Sequence, residues 1–193
     1  MTRGRSAPLF GLLVALGCGL LLVMPFITTF DDLLTTIGVR IGIGAPMQAI
    51  VPPEVRAVVA SLNLVGIDAG AAGNQLVVWN AAGVPQTLFI SWNCVGWQSL
   101  ILLGLSLMVG LRGSASWQSR AQVIAIGLLG TLLVNTLRIT LVCLIAAVAG
   151  YVPAILFHDY GGTVLLLVWL FGFWLLAYGW LMPESAWVLE AAR

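Results

Sequence analysis

Lysine is missing from all 193 residues, so each of the eight basic side chains is an arginine. Charge of either sign is scarce. Eight basic and seven acidic residues make up 8% of the chain, against about 25% in soluble domains. A chain this poor in charge has no water-facing surface to offer, which excludes a soluble globular domain. Histidine occurs once, as His158, and cysteine three times, as Cys18, Cys94 and Cys143. Their spacing suggests no metal site, no cofactor is expected, and no repeat or low-complexity linker divides the chain. The net charge of +1 names no partner, and nucleic acid is not expected among them. What is present is apolar: 61% hydrophobic residues and a mean hydropathy of +1.07. The chain reads as an integral membrane protein.

Residues 9–27 carry no charge and match the roughly 20 apolar residues that a spanning helix needs. No small-x-small cleavage site follows, so the segment reads as a retained anchor, with Arg3 and Arg5 holding its start in the cytoplasm. Residues 33–50 are apolar, but Arg40 lies near their middle. A central arginine costs about 2.5–3.5 kcal/mol on insertion, so an interfacial or extracytoplasmic segment is expected there. A helix is expected from Glu54 to Ile67, after Pro52-Pro53. Two strands follow, at 74–79 and 85–92, joined by the turn residues Asn80 and Gly83. They predict a small hairpin cap.

The run from Cys94 to Leu111 predicts a second span. It ends in RGSASWQSR, whose Arg112 and Arg120 are unaccompanied by acid and mark a cytoplasmic loop. From Arg120 to Arg138 the chain rises about 27 Å as a helix, nearly one hydrocarbon thickness. Arg138 should therefore emerge on the opposite face, where Cys94 also lies. Residues 163–182 form a further span. Residues 139–157 are open to two readings. As a full span they would carry His158 to the cytoplasmic face. As a helix that continues past Arg138 and turns at Gly150-Tyr151-Val152-Pro153, they would leave it on the Cys94 face.

Three polar places stand out. Cys94 alone among the cysteines has polar neighbours, in SWNCVGWQS. Asn135 and Arg138 lie three residues apart, on one helix face. His158 adjoins Asp159. Each has a plain alternative: an inert interfacial thiol, an arginine snorkelling to headgroups, a structural histidine. Together they carry the parts of acyl transfer through a thioester. A thiolate attacks, an imidazole moves the proton, and a guanidinium fixes negative charge.

In order along the chain stand Cys94-Val95-Gly96-Trp97-Gln98-Ser99, Asn135-Thr136-Leu137-Arg138-Ile139 and Phe157-His158-Asp159-Tyr160-Gly161-Gly162. The sequence resembles the exosortase/archaeosortase family in these three motifs, and more weakly in Leu62-Asn63-Leu64-Val65-Gly66-Ile67 and Gly73-Asn74-Gln75-Leu76. The likeness runs from Ala57 to Met182. Val95 stands where the family pattern has serine. His158 is more similar to the exosortase branch than to the archaeal one, where arginine is common.

The resemblance implies a membrane cysteine transpeptidase with Cys94, Arg138 and His158 catalytic on the extracytoplasmic face, and with Asn135, Asp159 and Ser99 supporting them. It implies as substrates exported proteins that end in a short motif, a transmembrane helix and a basic tail. The cleaved proteins would pass to another acceptor, with membrane lipid as surroundings. The fold class expected is all-α and polytopic, a multi-helix transmembrane bundle with a small extracytoplasmic cap built on the β-hairpin. The organisation expected is an anchor and interfacial segment over 1–56, a catalytic membrane domain over 57–182 and a cytoplasmic tail over 183–193, in the plasma membrane. The competing reading is a non-catalytic membrane subunit or small transporter that binds an anionic group through Asn135 and Arg138. An intramembrane serine or metalloprotease finds no Gly-x-Ser-Gly or His-Glu-x-x-His in the sequence.

Overall fold

The computed structural model describes residues 32–80, 82–112 and 116–182, together with Gly19 and Thr29. The anchor expected over 9–27, Gly19 apart, and the tail expected over 183–193 lie outside the described residues. The chain divides into two compact units, Met1–Ile43 and Gly44–Arg193. In the first, a helix α1 spans Asp32–Arg40. Arg40 thus falls at a helix C-terminus, where a cation is favoured.

The second unit begins with α2 (Gly44–Gln48) and α3 (Val51–Leu64). Sequence reasoning starts α3 at Glu54, but the helix takes in both prolines. Its first positions have no intrahelical partner for an N–H, so proline costs nothing there. The helix ends in a glycine-closed turn. Gly66 adopts φ +80°, Gly66 N–H donates to the Asn63 carbonyl and Ile67 N–H to that of Leu62. Asn63 Oδ1 then accepts from Ala69 N–H at 3.1 Å, tying the helix end to the sheet that follows.

That sheet has three antiparallel strands in the order β1 (Ala69–Ala72), β2 (Gln75–Trp79) and β3 (Pro85–Phe89). The β2–β3 hairpin is the expected one. Asn80 Oδ1 accepts from the Ala82 and Val84 N–H groups, and Gly83 takes φ +72°, each as turn chemistry demands. Side chains alternate across the strands. Leu76 and Val78 are buried, whereas Gln75 and Trp79 are exposed. The buried face joins Val51, Val55, Val58 and Leu62 of α3 in one core, closed by Ile139, Cys143 and Ala147 of the long helix described next.

Among the described residues three helical stretches are long and apolar enough to cross a membrane: Trp92–Gly110, Trp117–Ala149 and Tyr151–Leu181. The first holds a 3₁₀ turn (Trp92–Val95) and α4 (Trp97–Gly110). The second is α5 (Trp117–Ala149), started by Ser116, whose side chain accepts from Ser119 N–H at 3.2 Å. The third comprises α6 (Tyr151–Leu156), a π-helical segment (Phe157–Gly161), α7 (Gly162–Leu176) and a second π turn (Ala177–Leu181).

At about 1.5 Å per residue the 33 residues of α5 reach roughly 50 Å, far beyond a 30 Å hydrocarbon core. Its final turns carry the α3–sheet core. Gly150, at φ +90°, reverses the chain into the third stretch. The turning alternative for residues 139–157 is therefore the one this structure adopts. Within the bundle, Leu103, Val123, Phe173 and Ala177 form the buried centre. Gly110 and Gly130 face the rings of Trp174 and Trp169 so closely that any side chain there would collide with them. Small residues set against large ones are how membrane helices approach without a hydrophobic drive. Trp169 Nε1 also donates to Thr131 Oγ1 at 3.0 Å. The result is a multi-helix membrane bundle with a small three-stranded cap.

Candidate active site

Cys94 sits in the 3₁₀ turn between β3 and α4, half-buried. The segment SWNCVGWQS does not open directly into the helix. Gly96 takes φ +80° and splits it, so that α4 begins at Trp97. The turn is held from several sides. Cys94 N–H donates to the Ser91 carbonyl at 2.9 Å. Trp92 N–H donates to Gln48 Oε1 at 3.2 Å, and the Trp92 ring lies over Gly44. Trp92 and Trp97 stack with centroids 5.8 Å apart, and Trp97 Nε1 donates to Asn93 Oδ1 at 3.2 Å. The Cys94 Sγ lies 3.7 Å from Ser91 Oγ.

The hairpin at Gly150 delivers the rest. Arg138 comes from α5 before the turn, and His158 comes from the π segment after it. Arg138 Nη2 donates to the His158 carbonyl at 3.4 Å. The His158 ring comes near enough to the Cys94 thiol for the two to act on each other electrostatically. His158 Nδ1 lies 3.0 Å from Asp159 Oδ1, which leaves Nε2 as the uncommitted ring nitrogen. A carboxylate on Nδ1–H selects the tautomer whose Nε2 lone pair can take a proton. His158 and Asp159 have side chains 45% and 51% exposed, so this end of the site is open to the surroundings. Single-turn π segments recur at functional sites, and here one presents His158 and Asp159 together.

Asn135 is 4% exposed, one turn before Arg138 on α5. Its Nδ2 donates to the Cys94 carbonyl at 2.9 Å and to Glu54 Oε1 at 2.7 Å. The structure therefore gathers Cys94, Asn135, Arg138, His158 and Asp159 at one end of the bundle. Ser99 is buried in the first turn of α4 and is not a hydrogen-bond partner of the other five. The hydrogen bond of Arg138 runs to the backbone of His158 rather than to the thiol. Among the described residues no group of three or more His, Cys, Asp or Glu comes together to hold a metal ion. An open cleft of about 560 Å³ at the α3–β1 corner is lined by Asn63, Gly66, Ile67, Asp68, Ala69 and Trp79. It contains none of the residues gathered around Cys94.

Three residues of this site escape sequence reasoning. Glu54 is one, since its partner is 81 positions away. Gly96 and Gly162 stand in the quoted motifs, yet their reason is visible only in three dimensions. A Cβ on Gly96 would lie 2.7 Å from Asn135 Cγ, and one on Gly162 would strike the Arg138 guanidinium. Both glycines are there because a site side chain occupies the space.

Fold and site together define a multi-pass membrane protein with a thiol, an imidazole and a guanidinium gathered at one end of its helical bundle. The model of the transmembrane exosortase family matches residues 7–175. The chain belongs to that family, one of membrane transpeptidase-type proteins. Comparison with curated proteins and with solved structures finds no match.

Proposed function

We propose that this exosortase is a cysteine transpeptidase that cleaves a C-terminal sorting signal of membrane-anchored exported proteins and transfers them to an acceptor. The observation that carries the proposal is the gathering of Cys94, Arg138 and His158 at one end of the bundle, with Asn135 on the Cys94 carbonyl, Arg138 on the His158 carbonyl and Asp159 on the His158 ring. In the reaction His158 takes the thiol proton, and Cys94 Sγ attacks the scissile carbonyl. The C–N bond then breaks as the imidazolium protonates the leaving amine, leaving an acyl thioester on Cys94. An acceptor nucleophile gives its proton to His158, attacks the thioester and releases the thiol. Arg138 offers fixed positive charge beside the oxyanion. Asp159 holds the ring. A substrate helix lying in the bilayer would present its motif at the depth of Trp92 and Trp97, since tryptophan favours the interface.

The anion-binding alternative is disfavoured by Asn135. Both hydrogens of its amide nitrogen are committed, one to Glu54 and one to the Cys94 carbonyl, so none is left for a bound anion.

The thioester is testable directly. A His158→Ala variant should acylate slowly and deacylate more slowly still. Incubated with a motif–helix–basic-tail substrate, it should carry a substrate fragment on Cys94 that hydroxylamine removes, seen by intact-protein mass spectrometry. Product formation with no adduct on Cys94 in any variant would refute the covalent route.

The side of the membrane is a second expectation of the proposal. With Arg112 and Arg120 in the cytoplasm, Cys94, Arg138 and His158 face outward. Single cysteines placed beside His158 in a Cys94→Ala, Cys18→Ala, Cys143→Ala background should react with an impermeant maleimide on intact cells. One placed beside Arg120 should react only after lysis. The reverse pattern would invert the topology.

A further inference from the structure

Glu54 reaches the site from the cap. It lies in the first turn of α3, outside the three membrane-crossing stretches, and its Oε1 accepts from Asn135 Nδ2 at 2.7 Å. The same nitrogen donates to the Cys94 carbonyl at 2.9 Å. Two acceptors on one amide nitrogen fix which way the amide points, because only the NH₂ edge can satisfy both. Asn135 Oδ1 must then point elsewhere, and it is buried with no donor. Glu54 Oε2 is likewise buried with no partner. The two orphaned oxygens thus belong to two groups already joined through Oε1 and Nδ2. Two acceptors cannot satisfy each other, and buried polar atoms are rarely left unpaired.

A single proton resolves both. A carboxylic acid and a primary amide have complementary edges: one pairs C=O with H–N, the other O–H with O=C. We infer that Glu54 is a positioning residue held as the neutral acid, its Oε2–H directed at Asn135 Oδ1, and that this acid–amide pair clamps the Cys94 turn. The clamp grips both sides of the nucleophile. Asn135 holds the Cys94 carbonyl, and its side chain fills the space over Gly96, where a Cβ would lie 2.7 Å from Asn135 Cγ and 2.9 Å from Oδ1.

The surroundings agree. Burial pushes the Glu54 carboxyl above the usual carboxylate range, against the opposing pull of the Asn135 N–H and the Arg138 charge. Arg138 on α5 is the charged group that acts on Glu54. From the 3₁₀ turn the neighbouring group is the Cys94 carbonyl, and the sheet offers Glu54 no charge. Arg138 makes no salt bridge with Glu54. Its Nη2 goes to the His158 carbonyl instead, and its buried Nε has no acceptor, Glu54 Oε2 included.

The role rests on Cys94 being the nucleophile. Its physical content, the reactivity of the Cys94 thiol, can be measured without turnover. The experiment uses the full chain in lipid nanodiscs, with Cys18→Ala and Cys143→Ala, and compares wild type, Glu54→Gln and Glu54→Ala. Two quantities are read: the rate of Cys94 alkylation by iodoacetamide against pH, and processing of a sorting-signal substrate. Glutamine presents the same two edges as a neutral acid, so Glu54→Gln should keep both rates within about threefold of wild type, with a superimposable pH profile. Glu54→Ala should lose roughly tenfold or more in processing and shift the alkylation profile, because the turn is no longer clamped.

If Glu54→Gln is as impaired as Glu54→Ala, the charge matters and the neutral pair is refuted. If Glu54→Ala behaves as wild type, positioning is refuted. Should Glu54→Ala fail to accumulate, Glu54→Gln decides alone: retention of both rates supports the pair, and loss of either refutes it. Should Cys94→Ala process substrate normally, the transpeptidase reading falls, while the alkylation comparison still judges the clamp.

Discussion

Cys94→Ala and Cys94→Ser should abolish processing, a loss on the order of 10⁴-fold or more, as when a covalent enzyme loses its nucleophile. Serine is no rescue. Its hydroxyl is far harder to ionise than a thiol. The variants should nonetheless insert and fold. The Cys94 side chain is half-buried, with Ser91 Oγ 3.7 Å from its sulfur. The turn is fixed by its backbone instead, through the Ser91 carbonyl, Gln48 and Asn135, none of which needs the thiol. Cys143 is the internal control. It is 1% exposed and lies in the α3–sheet core, where a free cysteine acts as a small hydrophobe. Cys143→Ala should leave processing near wild type. The measurement is gel-resolved conversion of a substrate bearing the sorting signal, with variant abundance matched by immunoblot. Wild-type conversion by Cys94→Ala would end the nucleophile assignment.

The sequence carried the fold wherever a local pattern was enough. Hydropathy marked the helices, because an apolar run has one stable answer in lipid. The β2–β3 hairpin was legible from alternating residues around Asn80 and Gly83. β1 was not. Its four residues, AGAA, have neither the branched nor the aromatic side chains that mark strands. They join the sheet because β2 offers an open edge and Asn63 holds Ala69 in place. Residues 139–157 stayed ambiguous because an apolar helix reads alike whether it crosses lipid or packs under a cap. The deciding feature is Gly150, whose positive φ ends α5. The same physics governs the site. Cys94, Arg138 and His158 were nameable as chemical types, but Glu54 was not, because its significance lies in a hydrogen bond that closes only when α3 docks on α5. Ser99, singled out from its motif, is buried in α4 without joining the cluster.

Arg138→Lys should lower turnover by about 10²-fold while leaving substrate affinity little changed, the size of effect expected when a fixed oxyanion-facing charge is lost. Arg138 Nη2 bonds the His158 carbonyl at 3.4 Å, and its guanidinium lies in the space that Gly162 leaves open. One planar group therefore braces the His158 segment with one nitrogen and presents positive charge with another. Lysine supplies a single ammonium that cannot do both at once, and it is shorter and more strongly hydrated. Gly162→Ala tests the same point without touching the charge. Its methyl would occupy the guanidinium's place and force Arg138 aside, so turnover should fall comparably although residue 162 contacts no substrate. Gly104→Ala in α4 is the matched control, since a Cβ there meets nothing within 4 Å, and it should be silent. Single-turnover kinetics on nanodisc-embedded protein separates the acylation rate from binding. If Arg138→Lys and Gly162→Ala both acylate at the wild-type rate, Arg138 has no part in the chemistry and serves only to hold the Gly150 hairpin together.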